Sequence, residues 1–405
     1  MAGGTWRRRV KLLTLTSLFP GRAMPRHGVF VKERLRDYRL RYDADIRVVA
    51  PVPWVPPFAS ATKYAAFKAT PTREDYDGFS IEHPRYLVLP KIGMALQGIG
   101  YERGVRDTVL RLRVQRPFDV LDAHYAYPDG FAAALLRARL RVPMTLTVRG
   151  TDVNLLPRYP SVRGQIRFAL RQADAVIAVS QALAELAIEA GADAGKVTVL
   201  RNGVDVDVFA PLDREACRTR WSVPHGRRVV ASVGQLIERK GHHLLLDAVA
   251  AMPAQERPQV LIVGDGEMRA ALEAQIARLQ LSADARLLGG VDHAELASVY
   301  SAADLLVLAS SREGWPNVLL ESMACGTPVV ATAVHGSPEV VASDAVGILV
   351  RERSALALTA ALRAAFERSF DRTVVRAFAM TRTWRETSDG LDRVYRAVAG
   401  GGVRA

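Results

Sequence analysis

The sequence has only two cysteines in 405 residues, Cys217 and Cys325, and they stand far apart. That excludes a disulfide framework and a cysteine-based metal cluster, and it predicts a reducing, cytoplasmic setting. No stretch reaches the ~18 uncharged apolar residues that a membrane-spanning helix needs. The opening TWRRRVKLLTLTSLFP has the basic cluster and apolar run of a secretory leader. However, Lys11 and alternating Leu and Thr interrupt the run, and Pro20 ends it without a small-residue cleavage pattern. Val10 to Thr16 therefore reads as a first buried strand. Heptads, short repeats and low-complexity tracts are all missing.

What remains is a globular composition, 49% hydrophobic and 24% charged. The length suits two α/β domains of ~200 residues each. The net charge of +13 is unevenly placed. Residues 1–205 hold 32 Lys and Arg against 19 Asp and Glu, whereas residues 206–405 hold 23 of each. An excess confined to one half points to an anionic partner for that half, such as an anionic membrane surface or a lipid phosphate. Nucleic acid would satisfy the charge too, but no recognition motif accompanies it. A genome that favours arginine over lysine would also raise the charge, but need not confine it to one half.

Short apolar runs alternate with amphipathic helical patterns. In the first half the runs are VKLLTLT, IRVVAPV, FDVLDAHY, PMTLTVRG, DAVIAVS and KVTVLRNG. In the second they are RRVVASVGQL, QVLIVGDG, ARLLGGV, DLLVLAS, TPVVATAV and VGILV. Near-continuous hydrophobic strands separated by helices predict parallel sheets covered on both faces. Two such series in tandem predict two Rossmann-like, doubly wound domains. The join falls in residues 204–228, and residues 52–95 form a long Pro- and aromatic-rich insertion that includes Trp54, Phe58, Tyr64 and Phe67 among Lys63 and Lys68. Those aromatics suit either a headgroup-level contact or a packed core.

In open α/β sheets ligands bind beyond the carboxyl ends of the strands. There, DLLVLAS runs into SREGWPNVLLESMACGTPVV. Gly314 permits close backbone approach, and Pro316 suits the first turn of a helix. Asn317 and Val318 then present free N–H groups to phosphate oxygens. Glu313 precedes that terminus and Glu321 follows two turns into the helix. Two glutamates eight positions apart are ordinarily helix decoration, but the whole string is far more specific.

EGWPNVLLE resembles the Glu-x7-Glu signature of family 4 glycosyltransferases, retaining enzymes of the GT-B fold. RNGVD (201–205), VGQLIERKGHHLLLDA (233–248), VGDGEMRAAL (263–272) and the Cys-Gly-Thr-Pro turn at 325–328 follow in the family's order. The resemblance implies an acceptor-binding domain over 1–205, a donor-binding domain over 206–380, a cleft between them, and a C-terminal helix over 381–405 crossing back to the first domain. It further implies that Glu313 contacts donor-sugar hydroxyls, Glu321 the ribose, and Gly314, Trp315, Pro316, Asn317 and Val318 the sugar and diphosphate. In the loop Gly234 to Gly241 the family usually places Arg after the first glycine and Lys before the last. Lys240 matches, but position 235 is Gln. Either Arg239 supplies the missing charge, or the diphosphate rests more on Lys240 and the helix terminus.

By the same resemblance His124, at the end of FDVLDAH, joins Glu313 and Lys240 as a catalytic group, touching the donor sugar near its reacting face. Arg149 and Asp152 resemble an acceptor-binding strand-end motif, although Asp152 would equally serve as a helix cap. Gly28 stands where the family brings donor phosphate and acceptor close, or is a turn residue only, and Val291 where a backbone group meets the base. Asp205-x-Asp207 looks like the metal motif of the other main transferase fold but lies in the interdomain join, so no metal or other cofactor is expected.

The resemblance thus implies a retaining transferase. It would move a hexose-type sugar from a nucleotide-sugar donor to a glycan or polyprenyl-diphosphate-linked acceptor in envelope or exopolysaccharide synthesis. It would work in the cytoplasm, peripheral at the inner face of the plasma membrane. A nucleotide-sugar 2-epimerase of the same fold and a non-catalytic nucleotide-sugar binder are the alternatives. In this family Lys and helix dipoles stabilise the leaving diphosphate, so sugar transfer should survive excess EDTA. Complete loss with EDTA, restored by magnesium or manganese, would overturn that expectation.

Overall fold

The computed structural model describes residues 8–54, 65–88 and 93–401. Phe58, Lys63 and Tyr64 of the insertion lie outside the described residues. The chain divides into two compact units, Met1–Arg201 with Arg385–Ala405, and Asn202–Trp384.

The strands of the first unit are β1 (Lys11–Thr16), β2 (Asp45–Val49), β3 (Val52–Trp54), β4 (Arg73–Tyr76), β5 (Phe79–Glu82), β6 (Arg85–Leu87), β7 (Val120–His124), β8 (Met144–Val148), β9 (Ala175–Ala178) and β10 (Val197–Val199). Eight of them form one sheet in the order β10-β9-β8-β7-β1-β2-β5-β4. All neighbours in it run parallel except β4, which is antiparallel to β5. β7, β8 and β9 are buried at every position, as apolar strands covered on both faces must be. Helix α1 (Val29–Tyr42) packs its Val31, Leu35 and Tyr38 into a core that also takes Leu391 and Tyr395 of the C-terminal helix Trp384–Gly400.

The second unit contains β11 (Val229–Val233), β12 (Gln259–Val263), β13 (Ala285–Gly289), β14 (Leu305–Leu308), β15 (Val329–Thr332) and β16 (Gly347–Val350). They form a wholly parallel sheet ordered β13-β12-β11-β14-β15-β16. Strand order reverses between β11 and β14 here, and between β1 and β7 in the first unit. At such a switch point the loops leaving adjacent strands diverge to opposite faces and open a crevice.

All twelve apolar runs singled out above are strands in these sheets. The insertion at 52–95 holds more structure than its composition announced. β3 and β6 pair as a separate parallel ribbon, and β4 and β5 form a hairpin. Its turn is Asp77–Gly78, both at positive φ (49° and 76°). An Asp-Gly pair between two short alternating runs is a hairpin signal that the reading from composition passed over.

Candidate functional site

In the second unit, β11 leads into the loop Gly234–Gly241 and β14 into the loop that carries Glu313. Gly241, at φ 72°, caps the helix His242–Ala250, and a Cβ there would collide with the Ala309 carbonyl. Only glycine lets the two loops lie backbone to backbone. The Ser311 N–H donates to the Arg239 carbonyl at 2.8 Å, which locks them together. Lys240 Nζ consequently reaches Glu313 Oε1 at 2.6 Å, and Ser310 Oγ donates to the same oxygen at 2.6 Å. Arg239 lies 3.7 Å from that oxygen and donates to the Arg312 carbonyl at 2.9 Å. Glu313 is 7% exposed. Burial pushes its carboxyl up, but Lys240 and Arg239 outweigh burial and hold it below the usual range.

Gln235 is exposed, and its carbonyl accepts from His242 Nε2 at 3.2 Å. Arg239, not Gln235, is the second basic or amide side chain that the fold brings beside Glu313. Gly314 is half-buried, Trp315 and Pro316 are buried, and Asn317 and Val318 open the helix Asn317–Ala324 half-buried. Pro316 stands at the N-cap, one position earlier than its expected place in the first turn. Asn317 Oδ1 accepts from Asn202 Nδ2 at 3.2 Å. Glu321 is buried with both oxygens engaged, by His293 Nε2 at 3.0 Å and Tyr300 Oη at 2.9 Å. Val291 is half-buried in the loop after β13, two residues before His293. Asp205 accepts from the N–H groups of Asp207 and Val208, the geometry of a local turn. Among the described residues, no three His, Cys, Asp or Glu side chains gather as a ligand set.

In the first unit His124 ends β7 completely buried. Its Nε2 lies 2.7 Å from Asp122 Oδ2 and its Nδ1 2.6 Å from an Arg149 nitrogen. Arginine only donates, so Nδ1 accepts and Nε2 carries the proton. Burial pulls the imidazole down to about 4 against the opposing pull of Asp122, so it is neutral near pH 7. Both ring nitrogens are thus engaged within the protein. As it stands, His124 links Asp122 to Arg149 through its two ring nitrogens. Arg149 is 9% exposed, with its guanidinium over the Phe30 ring at 5.2 Å. Asp152 accepts from the backbone N–H groups of Ala126, Arg149 and Gly150. Those contacts brace the backbone around the strand end and do not cap the following helix, whose N-cap is Gly150. Gly28 has φ 71° and caps α1, and a Cβ there would collide with the Leu18 backbone.

Several site residues were not found from the sequence: Asp122, Asp129, His293, Tyr300 and Ser310. Ser310 and His293 follow strand ends and could have been flagged by position alone. Asp129 joins the loop after β1 to the turn after β7. It accepts from the Ser17 N–H, from Ser17 Oγ at 3.0 Å and from Tyr101 Oη at 2.8 Å.

Comparison with known proteins gives the family and the fold. The family described as Glycosyl transferases group 1 matches residues 213–379, and Glycosyltransferase Family 4 matches residues 66–208. The Bacillus subtilis glycosyltransferase TuaC, named for teichuronic acid biosynthesis, is 30% identical over 361 residues, 87% of this chain and 88% of that protein. The chain belongs to the family 4 glycosyltransferases. The D-inositol 3-phosphate glycosyltransferase of Segniliparus rotundus is 32% identical over 305 residues, 71% of this chain and 68% of that one. The solved structure of Anabaena HepE in complex with UDP and glucose has a TM-score of 0.74 at 22% identity, covering 96% of this chain and all of that one. Sucrose-phosphate synthase of Thermosynechococcus elongatus has a TM-score of 0.78 at 19% identity, over 98% of this chain. The fold is GT-B, and the protein is a glycosyltransferase.

Burial raises the Asp129 carboxyl to about 7 despite its hydrogen bonds. The folded protein therefore holds that proton more tightly than the unfolded chain, whose Asp titrates near ~4. The resulting stabilisation is complete below ~4 and is lost as pH rises through about 7. Asp129→Asn keeps an acceptor for Ser17 without the charge. Relative to wild type it should gain about 2–3 kcal/mol between pH 5 and pH 8. Urea midpoints at the two pH values measure this, and a difference that does not vary with pH would refute it.

Proposed function

We propose that the protein is a retaining hexosyltransferase. It takes a hexose-type sugar from a nucleotide-diphosphate donor and passes it to a glycan or polyprenyl-diphosphate-linked acceptor in cell-envelope or exopolysaccharide assembly. The carrying observation is the contact of Lys240 with Glu313 at the β11–β14 switch point, beside the N-terminus of helix Asn317–Ala324. A diphosphate laid there meets Lys240, Arg239 and the N–H groups of Asn317 and Val318, all donors aimed at charge that grows as the sugar leaves. It competes with Glu313 for Lys240, and Glu313 then accepts from sugar hydroxyls while remaining ionised. In the retaining mechanism the leaving phosphate oxygen receives the acceptor proton on the face where the new bond forms. No metal is required in this account. HepE was solved with UDP and with UDP-glucose, which makes UDP the first nucleotide to try. TuaC's naming for teichuronic acid synthesis supports an envelope role.

An anionic membrane surface is the proposed working place of the first unit. Trp54 and Leu87, register partners in the β3–β6 ribbon, are 50% and 47% exposed. Met94, Leu96 and Ile99 are exposed at the start of the helix Met94–Gln115. Among the described residues no helix is long and apolar enough to cross a membrane. An apolar patch on the half of the chain that carries the basic excess suits reversible docking at the headgroup level.

Two measurements test these readings. Lys240→Ala should weaken UDP binding by about one to two orders of magnitude, the worth of a charge-assisted hydrogen bond. Glu313→Gln should lower transfer strongly yet leave UDP binding unchanged or tighter, because the internal competitor for Lys240 is gone. Calorimetry showing unchanged UDP affinity in Lys240→Ala, or loss of UDP binding in Glu313→Gln, would sink the assignment. Sedimentation of the intact protein with anionic vesicles should be strong at low salt, fade at high salt as the ~10 Å screening length shortens, and weaken in Leu96→Ser. Indifference to anionic vesicles at low salt would rule out the membrane docking.

A further inference from the structure

Among the described residues, the first unit buries a cation that no acceptor answers. Arg34 on α1 is fully buried, and none of its three side-chain nitrogens has a hydrogen-bond partner. The carboxylate whose field it feels is Asp122. That carboxylate is already occupied by Thr14 at 3.4 Å, Thr145 at 2.8 Å and His124 at 2.7 Å. Arg149 shares the cluster, its charge and that of Arg34 opposing one another. Asp152 is turned to backbone N–H groups, His124 is neutral, and Tyr395 closes the cluster from the C-terminal helix. Two guanidinium groups therefore face a single committed carboxylate, Asp122 in the middle of β7, and Arg149 follows the carboxyl end of β8. Phe30, four residues before Arg34 and so on the same face of α1, lies half-buried over Arg149.

We propose that Arg34 and Arg149 form an oxyanion seat, covered by Phe30, which takes a phosphate or carboxylate group of the acceptor. Rotation of Phe30 brings the anion onto Arg149, with Arg34 behind it. A planar guanidinium fork suits bidentate contact with either oxyanion. The anion supplies the negative charge that the fold withholds, which accounts for retaining a buried cation that would otherwise only destabilise the unit. The word acceptor rests on the transferase reading above; binding of the anion does not.

The test uses the intact protein, with melting temperature followed against inorganic phosphate and, separately, glucuronate, at ionic strength matched with chloride. Wild type and Lys240→Ala should both show saturable stabilisation by at least one of the two anions. Arg34→Met should melt higher than wild type without anion, because an unanswered charge is replaced by apolar bulk, and should bind the anion at least tenfold more weakly. Arg34→Lys should fall between. A response to phosphate alone assigns a phosphate group, and one to glucuronate alone a carboxylate. The proposal is overturned if Arg34→Met keeps the full response, if it melts lower or fails to fold, if Lys240→Ala alone abolishes the response, or if wild type ignores both anions. Failure of the donor reading would show separately, as UDP binding unaffected by Lys240→Ala.

Discussion

The site of the second unit depends on one buried ion pair. Lys240 and Glu313 meet at 2.6 Å, with side chains 14% and 8% exposed. Removing one partner of such a pair strands a charge in a poor solvent, so neither residue is free to vary alone. The pair also dictates backbone. It needs the two loops in contact, which needs Gly241 without a Cβ beside Ala309, and it needs Ser310 to satisfy the same carboxylate oxygen. Arg353 reinforces the junction by donating to the carbonyls of Ala309 and Glu238 at 2.9 Å each. On the proposed reading, a ligand carrying two phosphates enters this arrangement as a competitor for Lys240.

The parts of this protein legible from sequence were those whose cause is local. Runs such as VVASV and QVLIV are buried on both faces, so their apolarity is continuous and their identity as parallel strands is plain. Glu313, Lys240 and the helix at Asn317 could be named because they sit within short motifs at strand ends. Strand order itself was not read from any motif. It follows from connections that fold back on the sheet, and it decides which strand ends become neighbours.

What escaped the reading has partners far away in the chain. Asp122 lies inside an apolar strand, and its meaning depends on Thr14 and Thr145, which reach it from the strands on either side. His293 and Tyr300 read as ordinary residues until the fold brings them to Glu321, 28 and 21 positions away. In sequence Arg34 resembles its half-buried neighbours Arg36 and Arg39 on a helix of mixed charge. Only its burial, near Asp122 of β7 and Tyr395 of the C-terminal helix, distinguishes it. His124 shows the converse: its place at a strand end was legible, but its commitment to Asp122 and Arg149 was not.

The two units handle buried positive charge in opposite ways. In the second, Lys240 has an internal anion, so the ground state is electrically settled, and the proposed phosphate would exchange one partner for another. In the first, Asp122 must serve a histidine and two hydroxyls as well as the field of two arginines, and Arg34 is left with no acceptor. A settled site releases its ligand readily, because the displaced carboxylate returns. An unsettled site gains more from each anion it takes, at a cost in resting stability that the rest of the core must carry. That difference would suit the proposed reaction, in which a spent nucleotide leaves after every turnover and an anionic acceptor is held for attack.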